Sequence, residues 1–405
     1  MNTYKKAILP KGFLASGVAC GIKKAKKLDL ALFYSNIPAK AACQFTTNKI
    51  QAAPIRINKK YLQKNKEYRA IIANSGNANS FTGGEGVKDA EETTEELANA
   101  LCIKKENILV ASTGIIGRKL PLDKLKKGIP ELVTGLSANG VDKAKIAIMT
   151  TDTFSKEITI KFNCDGRIIT ICGIAKGAGM IAPNMACAGH RRSATMLVFI
   201  LADARITQEA LNEALRISVD NSFHCITVDG CMSTNDTIIA LANGASNNTL
   251  IDTNPLRNTT QIKNKAIISN GENKNFNLFF KALNAVCLEL AKLIIRDAEG
   301  ATKFIQIKVS KAKSFIQARQ VGLSIANSNL FKTAMYGRNP NFGRIVAAIG
   351  ASGIDVKERG LKIKVSPLHK KDIDVDVSIN RGKATATVYT SDLTPEYIKI
   401  NAEYS

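Results

Sequence analysis

The spacing of hydrophobic and polar positions in the first half of the chain changes several times between a strand period and a helix period. Tyr68–Ala73 is a short apolar run that leads into the turn-forming segment Asn74–Asn79, which predicts a strand followed by a loop. The Glu- and Ala-rich segment Gly86–Leu101 is typical of a helix. Glu157–Ile174 alternates around a Cys-Asp-Gly turn and predicts a β-hairpin. Thr195–Ile200 is apolar enough to predict a buried strand.

The second half continues with mixed elements. We predict a helix from Gln208 with Thr207 as its N-cap, a helix over Phe276–Ile295, a strand over Phe304–Val309, a helix over Phe315–Tyr336, and strands over Ile373–Ile379 and Ala384–Val388 with a turn at Gly382. The pattern favours a mixed α/β fold: a layered sandwich of antiparallel-rich sheets and helices with a smaller C-terminal α/β domain. We place the boundary at residue 280, which gives domains 1–280 and 281–405.

The composition is that of a globular protein. The chain has 405 residues, of which 45% are hydrophobic and 22% charged. It contains no run of roughly 18 apolar residues, so we expect no membrane span. The segment Met1–Gly12 lacks the apolar core of a signal peptide and the Arg-rich character of a transit peptide. We therefore expect a cytoplasmic protein.

The net charge of +23 raises the question of a nucleic-acid partner. The lysines are spread over the whole chain, tryptophan is absent and aromatic residues make up 6%, so base-stacking surfaces are scarce. We expect no nucleic-acid partner. A diffuse basic surface favours small anionic substrates such as glutamate.

Cofactor and metal signatures are missing from the sequence. The nine cysteines have no CxxC spacing, and His190, His224 and His369 are far apart, so we expect no metal. The segment Lys176–Gly179 lacks the third glycine of a dinucleotide fingerprint, and no phosphate-binding GxxxxGK[ST] loop is present. We therefore expect no bound cofactor.

Ala194 and Thr195 suggest a different chemistry. A threonine hydroxyl holds its proton tightly, but an N-terminal threonine has an α-amine with a pKa near ~7.7–8.0 that can accept that proton. Cleavage between Ala194 and Thr195 would give one residue both the nucleophile and the base. The Ala-Thr pair alone is far more typical of a residue that merely opens a core strand, so the surrounding motifs decide.

Short motifs occur in order along the whole chain, at Phe45–Pro54, Ala73–Asn79, Ala111–Gly117, Met149–Thr153, Gly173–Ala186, Thr195–Leu197, Ser233–Thr237, Arg296–Lys303, Asn339–Arg344 and Ile400–Tyr404. In this combination the chain resembles the ornithine acetyltransferase (glutamate N-acetyltransferase) family of arginine biosynthesis. The resemblance implies self-cleavage into an α chain, Met1–Ala194, and a β chain, Thr195–Ser405. It also implies a heterotetramer of two α and two β chains.

The resemblance further implies roles for individual residues. Thr195 would take the acetyl group from N-acetylornithine and pass it to glutamate, and acetyl-CoA could serve as a second donor. Thr113 and Gly114 match the family's oxyanion hole. The family's substrate contacts fall on Thr153, Lys176, Thr195, Glu299 and Asn401, with Lys176 suited to a carboxylate and Glu299 to an ammonium group.

The chain departs from the family pattern in three places. Eight residues, Cys187–Ala194, separate the Pro-Asn-Met-Ala motif from Thr195, and they make Cys187 a rival nucleophile. We favour Thr195 because Met-Leu and the apolar strand follow it. Cys231 and Met232 replace a usual Asp-Thr pair. The chain ends at Ser405, where we expect the serine hydroxyl to take the place of a terminal threonine.

Two other functions stay open at this point. A related self-processing amidase or aminopeptidase would let water, not glutamate, resolve the acyl-enzyme. An unprocessed and inactive homologue would keep the motifs without the chemistry. The products of the reaction and the mass of the chain distinguish these hypotheses.

Overall fold

Two β-sheets organise the chain, and the computed structural model describes residues 1–182, 185–186, 196–253 and 274–403. The strands are β1 (Asn2–Tyr4), β2 (Phe13–Val18), β3 (Leu30–Thr46), β4 (Tyr68–Asn77), β5 (Ile108–Ile115), β6 (Lys156–Cys164), β7 (Arg167–Lys176), β8 (Met185–Ala186), β9 (Leu197–Ala202), β10 (Thr237–Ala242), β11 (Phe304–Ala312), β12 (Lys362–Val365), β13 (Asp372–Ser378) and β14 (Ala384–Ser391). The helices are α1 (Ala53–Lys64), α2 (Gly83–Leu101), α3 (Leu122–Thr134), α4 (Val141–Ala147), α5 (Gln208–Asn221), α6 (Lys274–Arg296), α7 (Phe315–Ala326), α8 (Asn329–Tyr336), α9 (Phe342–Gly350) and α10 (Pro395–Glu403).

The larger sheet has the strand order β1-β6-β7-β9-β10-β3-β4-β5, and β2 and β8 also pair with β3. The long strand β3 connects its two halves. The first part of β3 pairs with β2 and β4, the second part pairs with β10, and the register shifts between Tyr34 and Ala39. Most pairings are antiparallel, whereas β4–β5 and β9–β10 are parallel. The bend in β3 lets one half of the sheet fold over the other.

Three hydrophobic clusters divide this region into layers. The middle cluster joins side chains from both halves of the sheet, and within it the rings of Phe33 and Phe199 lie 5.3 Å apart. One outer cluster packs α5 and α6 on β6, β7 and β9. The other packs α1, α2 and α3 on β3, β4 and β5. The result is a helix–sheet–sheet–helix sandwich, and it confirms the predicted layered mixed α/β fold.

The local predictions hold for most of the elements. The hairpin β6–β7 turns through Asp165 and Gly166, both at positive φ. Thr207 caps α5, since its side chain accepts a hydrogen bond from the Ala210 N–H. The predicted helix over Phe315–Tyr336 is wrong as a single helix. Ser328 interrupts it, because its hydroxyl oxygen accepts from the Phe331 N–H and starts α8 as a new N-cap.

The smaller sheet has the order β12-β13-β11-β14, with β11 and β13 parallel, and α7, α8 and α9 cover it. The strands β13 and β14 are neighbours in sequence, but β11 lies between them and pairs with both. Residue 280 lies inside α6, whose buried side belongs to the core of the larger sheet. The division at residue 280 stays a prediction. Within the described ranges, no helix combines the length and apolar character needed to cross a bilayer.

Candidate active site

Thr113 and Gly114 lie at the end of β5, beside the end of β4. Ser75 pairs with Thr113, and Gly76 pairs with Gly114. Gly114 has a φ of +133°, and a Cβ at this position would lie 2.4 Å from the carbonyl carbon of Gly76. Only glycine permits this close approach of the two strands. The Thr113 side chain is buried, at 2% exposure.

Side-chain amides hold this strand end in place. Asn235 Nδ2 donates to the Ser112 carbonyl at 2.8 Å and to the Ala78 carbonyl at 2.5 Å. The Ser112 hydroxyl donates to Asn74 Oδ1 at 2.6 Å. These bonds are buried, so they fix the backbone around Thr113 before any ligand arrives.

Lys176 ends β7 and reaches the Thr113 side chain. Its Nζ donates to Thr113 Oγ1 at 3.3 Å and to Thr150 Oγ1 at 2.7 Å, and lies 3.8 Å from Asp152 Oδ2. Burial lowers the pKa of Lys176; the Asp152 carboxylate opposes this effect and the Lys156 ammonium adds to it. A buried ammonium therefore lies beside the hydroxyl at the end of β5.

Asp152 and Asp297 compensate the positive charge of two lysines. Lys156 Nζ donates to Asp152 Oδ1 at 2.6 Å and to Asp297 Oδ2 at 2.5 Å. Burial alone would raise the pKa of Asp152, but the ammonium groups of Lys176 and Lys156 overcome it and hold that pKa well below its usual range. The Gly177 N–H also donates to Asp152, at 2.7 Å.

Thr153 is bound to the same network. Its backbone N–H donates to Asp297 Oδ2 at 3.0 Å, and its hydroxyl also donates to Asp297. The hydroxyl proton is used in this bond, so the Thr153 oxygen keeps lone pairs that can accept from another group. The predicted residues Thr113, Lys176 and Thr153 thus belong to one continuous set of hydrogen bonds.

Lys23 reaches the same region from the loop between β2 and β3. Its Nζ donates to the Met149 carbonyl at 2.6 Å and to the Leu28 carbonyl at 2.9 Å. Burial lowers the pKa of Lys23 to about 8, the carboxylate of Asp29 opposes this, and the nearby Lys176 ammonium contributes to it. Lys23 therefore fixes the residue that precedes Thr150.

Glu299 and Asn401 form a more open end of the site. Asn401 Nδ2 donates to Glu299 Oε2 at 2.8 Å, and the Glu299 N–H donates to the Ala178 carbonyl at 3.0 Å. Gly179 makes room for the carboxylate, because a Cβ at Gly179 would lie 2.1 Å from Glu299 Oε2. Asn401 is exposed and Glu299 is half-buried.

Ala194, Thr195, the rival Cys187 and Ser405 lie outside the described residues. Met196 and Leu197, the two residues after Thr195, belong to the buried core. Met196 is fully buried, and its carbonyl accepts from the Thr237 N–H at 3.0 Å. Leu197 pairs with Lys176 across β7 and β9. The strand that Thr195 precedes therefore begins directly beside Lys176.

His224 binds the short strand β8, which ends one residue before Cys187 in the sequence. The Met185 N–H donates to His224 Nε2 at 2.6 Å, and His224 Nδ1 lies 2.8 Å from Asp220 Oδ1. Because Nε2 accepts from Met185, the hydrogen bond to Asp220 is donated by Nδ1. Met185 also pairs with Thr46 of β3.

Sequence reasoning missed four residues of this site: Thr150, Asp152, Lys156 and Asp297. Three of them, Thr150, Asp152 and Asp297, lie in the sequence motifs Met149–Thr153 and Arg296–Lys303. The missed signal was the number of acidic and hydroxyl side chains in these motifs beyond the ones assigned to substrate. Lys156 had no such signal, since it looks like a surface lysine at the start of a strand.

The described residues contain no group of three or more His, Cys, Asp or Glu side chains that could hold a metal ion. The polar groups that converge are hydroxyls, ammonium groups and two carboxylates, and they are largely buried. The hydroxyl and ammonium groups are donors that can stabilise negative charge developing on an oxygen during a reaction. The fold and the site thus define a class of centre suited to chemistry at a carbonyl group.

The ArgJ family model matches residues 14–405. The chain belongs to the ArgJ family. It is 42% identical over 417 residues to the arginine biosynthesis bifunctional protein ArgJ of Oceanobacillus iheyensis, covering 98% of this chain and 95% of the relative. It is 42% identical over 423 residues to the protein of the same name from Caldanaerobacter subterraneus, covering 98% of each chain.

A solved structure is also similar to part of this chain. It is an ornithine acetyltransferase complexed with ornithine from Mycobacterium tuberculosis, 38% identical, with a TM-score of 0.43. The match covers 46% of this chain and 100% of that chain.

Proposed function

We propose that this protein transfers an acetyl group from N-acetyl-L-ornithine to L-glutamate through an acetylated Thr195. The chain belongs to the ArgJ family and is an acetyltransferase of arginine biosynthesis. The observation that carries the proposal is the contact of the buried Lys176 ammonium with the Thr113 hydroxyl, beside the start of β9. Thr195 directly precedes that strand in sequence, and this order supports a reaction in which its hydroxyl acts together with these donors.

Maturation would begin with the attack of Thr195 Oγ on the Ala194 carbonyl carbon. The Ala194–Thr195 peptide bond breaks as an ester to Oγ forms, and the Thr195 nitrogen takes the hydroxyl proton. Water then hydrolyses the ester, which leaves the Ala194 carboxylate and a free Thr195 with its α-amine. That amine serves as the base in later turnovers.

Acetyl transfer would use the same hydroxyl twice. Thr195 Oγ attacks the acetyl carbonyl of N-acetylornithine while the α-amine takes the Oγ proton and then delivers it to the departing ornithine amine. The Thr113 hydroxyl and the Gly114 N–H stabilise the oxyanion, and each such donor is typically worth ~2.7–4 kcal/mol. The amine of glutamate then attacks the acetyl ester, and the proton returns to Oγ.

The two ends of the site suit the two ends of the substrate. We assign the substrate carboxylate to Lys176 and the ornithine side-chain ammonium to Glu299, with Asn401 fixing that carboxylate. Thr153 keeps an acceptor oxygen for a substrate N–H group, since its own proton is bound to Asp297. We also propose that Ser405 contacts the substrate and that acetyl-CoA serves as a second donor. The assembly of two α and two β chains and the cytoplasmic location are proposals of the same kind.

The test is a two-substrate assay with labelled acetyl. Purified enzyme incubated with glutamate and with N-acetylornithine labelled with carbon-14 in its acetyl group should give labelled acetylglutamate and no excess of free acetate. Thr195→Ala should abolish both the transfer and the cleavage, whereas Cys187→Ala should change neither by more than about twofold. Free acetate without acetylglutamate would establish the amidase instead. Loss of activity in Cys187→Ala alone would move the nucleophile to Cys187.

A further inference from the structure

A surface cavity of about 480 Å³ lies between the segment that leads into α1 and the segment that leads into α2. Its wall includes Lys49, Ile50, Gln51, Arg56, Phe81 and Thr82. The first three belong to the motif Phe45–Pro54, for which the transfer reaction provides no role. The question is what such a cavity would bind.

The charge of the cavity selects an anion. Lys49 and Arg56 are exposed, and neither makes an ion pair with a described residue. No acidic side chain of the described residues lines the cavity. Glu85, which follows the cavity in α2, lies 3.8 Å from Lys119 and is directed to that lysine. An ammonium and a guanidinium without a carboxylate between them match a phosphate-bearing group.

The apolar part of the cavity selects a flat group. Phe81 is 74% exposed and Ile50 is 49% exposed. Phe81 also has a φ of +58°, a conformation that is costly for a bulky side chain. Backbone strain of this kind persists where the surrounding structure imposes it, and it concentrates at binding sites. An exposed ring held in this way offers a surface on which a heteroaromatic base can stack.

The cavity is connected to the candidate active site through short contacts. Gln51 Nε2 donates to the Thr46 carbonyl at 2.7 Å, and Thr46 pairs with Met185 of β8. The Ala52 N–H donates to the Thr234 carbonyl at 3.0 Å. The next residue, Asn235, donates to the Ser112 carbonyl next to Thr113. The segment that lines the cavity is therefore hydrogen-bonded to the residues that hold the Thr113 strand end.

We propose that this cavity binds the adenosine-phosphate part of coenzyme A, so that acetyl-CoA reaches the nucleophile from here when it replaces N-acetylornithine as donor. The inference rests on the proposed function and locates a second donor for the same nucleophile. N-acetylornithine is small and carries no phosphate or flat base, so it has no use for Lys49, Arg56 or Phe81. In that reaction Thr195 Oγ attacks the thioester carbonyl carbon while its α-amine takes the Oγ proton. The C–S bond breaks as the acetyl ester to Oγ forms, and the sulfur takes that proton and leaves as the CoA thiol.

The variants are Arg56→Glu and Phe81→Ala, with Lys64→Glu as the matched control. Lys64 is an exposed residue of the same helix α1, and its substitution changes the net charge as Arg56→Glu does. Each full-length protein is assayed for glutamate acetylation from N-acetylornithine and, separately, from acetyl-CoA. Binding of desulfo-coenzyme A and of ADP is measured by calorimetry.

We expect Arg56→Glu to lower acetyl-CoA-driven acetylation and desulfo-coenzyme A affinity at least about tenfold, because a phosphate loses its charged partner and meets a carboxylate. Phe81→Ala should lower both about fivefold. Acetylation from N-acetylornithine should stay within about twofold in all three variants, and Lys64→Glu should match wild type throughout.

Three results would overturn the inference. One is a wild-type enzyme that transfers acetyl from N-acetylornithine but does not bind desulfo-coenzyme A. Another is loss of ADP binding in Arg56→Glu with acetyl-CoA-driven acetylation intact, which makes a free nucleotide the occupant. The third is an equal loss of both donor reactions. Absence of transfer from N-acetylornithine in wild type would instead contradict the proposed function. The binding of desulfo-coenzyme A and ADP would still test the cavity independently.

Discussion

The two ends of the candidate site are built in different ways. At one end, Thr113, Lys176 and the carboxylates of Asp152 and Asp297 are buried and joined by hydrogen bonds to several elements of the fold. At the other end, the half-buried Glu299 is held by the exposed Asn401 and by the space that Gly179 leaves free. The first end is fixed by the core, and the second depends on a short C-terminal helix.

This difference suggests that the buried end stabilises the transition state and that the open end binds the substrate side chain. A group that stabilises charge in a transition state must be in place before the reaction, and burial supplies that order. A group that admits ornithine and then glutamate must tolerate two side chains, one cationic and one anionic. An open carboxylate whose partner is an exposed amide can adjust in this way. Substitutions at the buried end should therefore affect stability and turnover, and those at the open end should affect substrate affinity.

The largest expected effect is on stability, from Asp297→Asn. It leaves the buried Lys156 ammonium with one carboxylate fewer, so we expect the free energy of unfolding in urea to fall by ~3–5 kcal/mol. The matched control is Asp372→Asn, since Asp372 is 58% exposed and pairs with Arg296, the neighbour of Asp297. That substitution should cost less than about 1 kcal/mol. Equal losses in the two variants would contradict the distinction between a buried and an open ion pair.

Lys176→Met should lower kcat/KM for acetyl transfer by about 10²–10³, because it removes a buried cation beside Thr113. The control is Lys332→Met. Lys332 is also buried, donates to Thr390 Oγ1 at 3.0 Å, and has a pKa that burial lowers to about 8, but it lies under the smaller sheet. Its loss should change kcat/KM by less than about threefold in protein that is still folded. A Lys176→Met enzyme with more than a tenth of wild-type activity would speak against its role.

Gly179→Ala should have the smallest effect and should act on affinity. The added Cβ meets the Glu299 carboxylate, which has to move away. We expect KM for N-acetylornithine to rise about tenfold, with kcat within about threefold of wild type, as for loss of one charged contact made in the ground state. Gly350→Ala is the control, because no atom lies within 4 Å of its Cβ position. A fall in kcat with unchanged KM would place Glu299 at the reacting carbonyl.

Local patterns predicted the elements of the fold well. The alternation in Glu157–Ile174, the capping threonine at 207 and the apolar run after Thr195 each depend on neighbouring residues only. The helix over Phe315–Tyr336 failed for an equally local reason: apolar positions continue through it, while the Ser328 hydroxyl offers the backbone a better partner than the helix does.

The buried ion pairs could not be predicted in the same way. Lys156 and Asp297 are 141 positions apart in sequence, and Lys176 and Thr113 are 63 apart. Their contacts depend on the strand order that brings β7, β9 and β5 into one folded sheet. The motifs marked Thr153 and Glu299 because both resemble substrate contacts of the family. They did not indicate that Asp152 and Asp297 would be the groups that hold those residues in place.

Identifying the acetylated residue is the decisive test of Thr195 as the nucleophile. The enzyme is incubated with N-acetylornithine in the absence of glutamate, quenched in acid, and analysed by intact-mass and peptide mass spectrometry. We predict that the 43.7 kDa chain has divided into chains of about 21 and about 23 kDa, and that the peptide beginning at Thr195 carries one acetyl group that glutamate removes. An uncut chain, or an acetyl group on Cys187 with Thr195 unmodified, would contradict it.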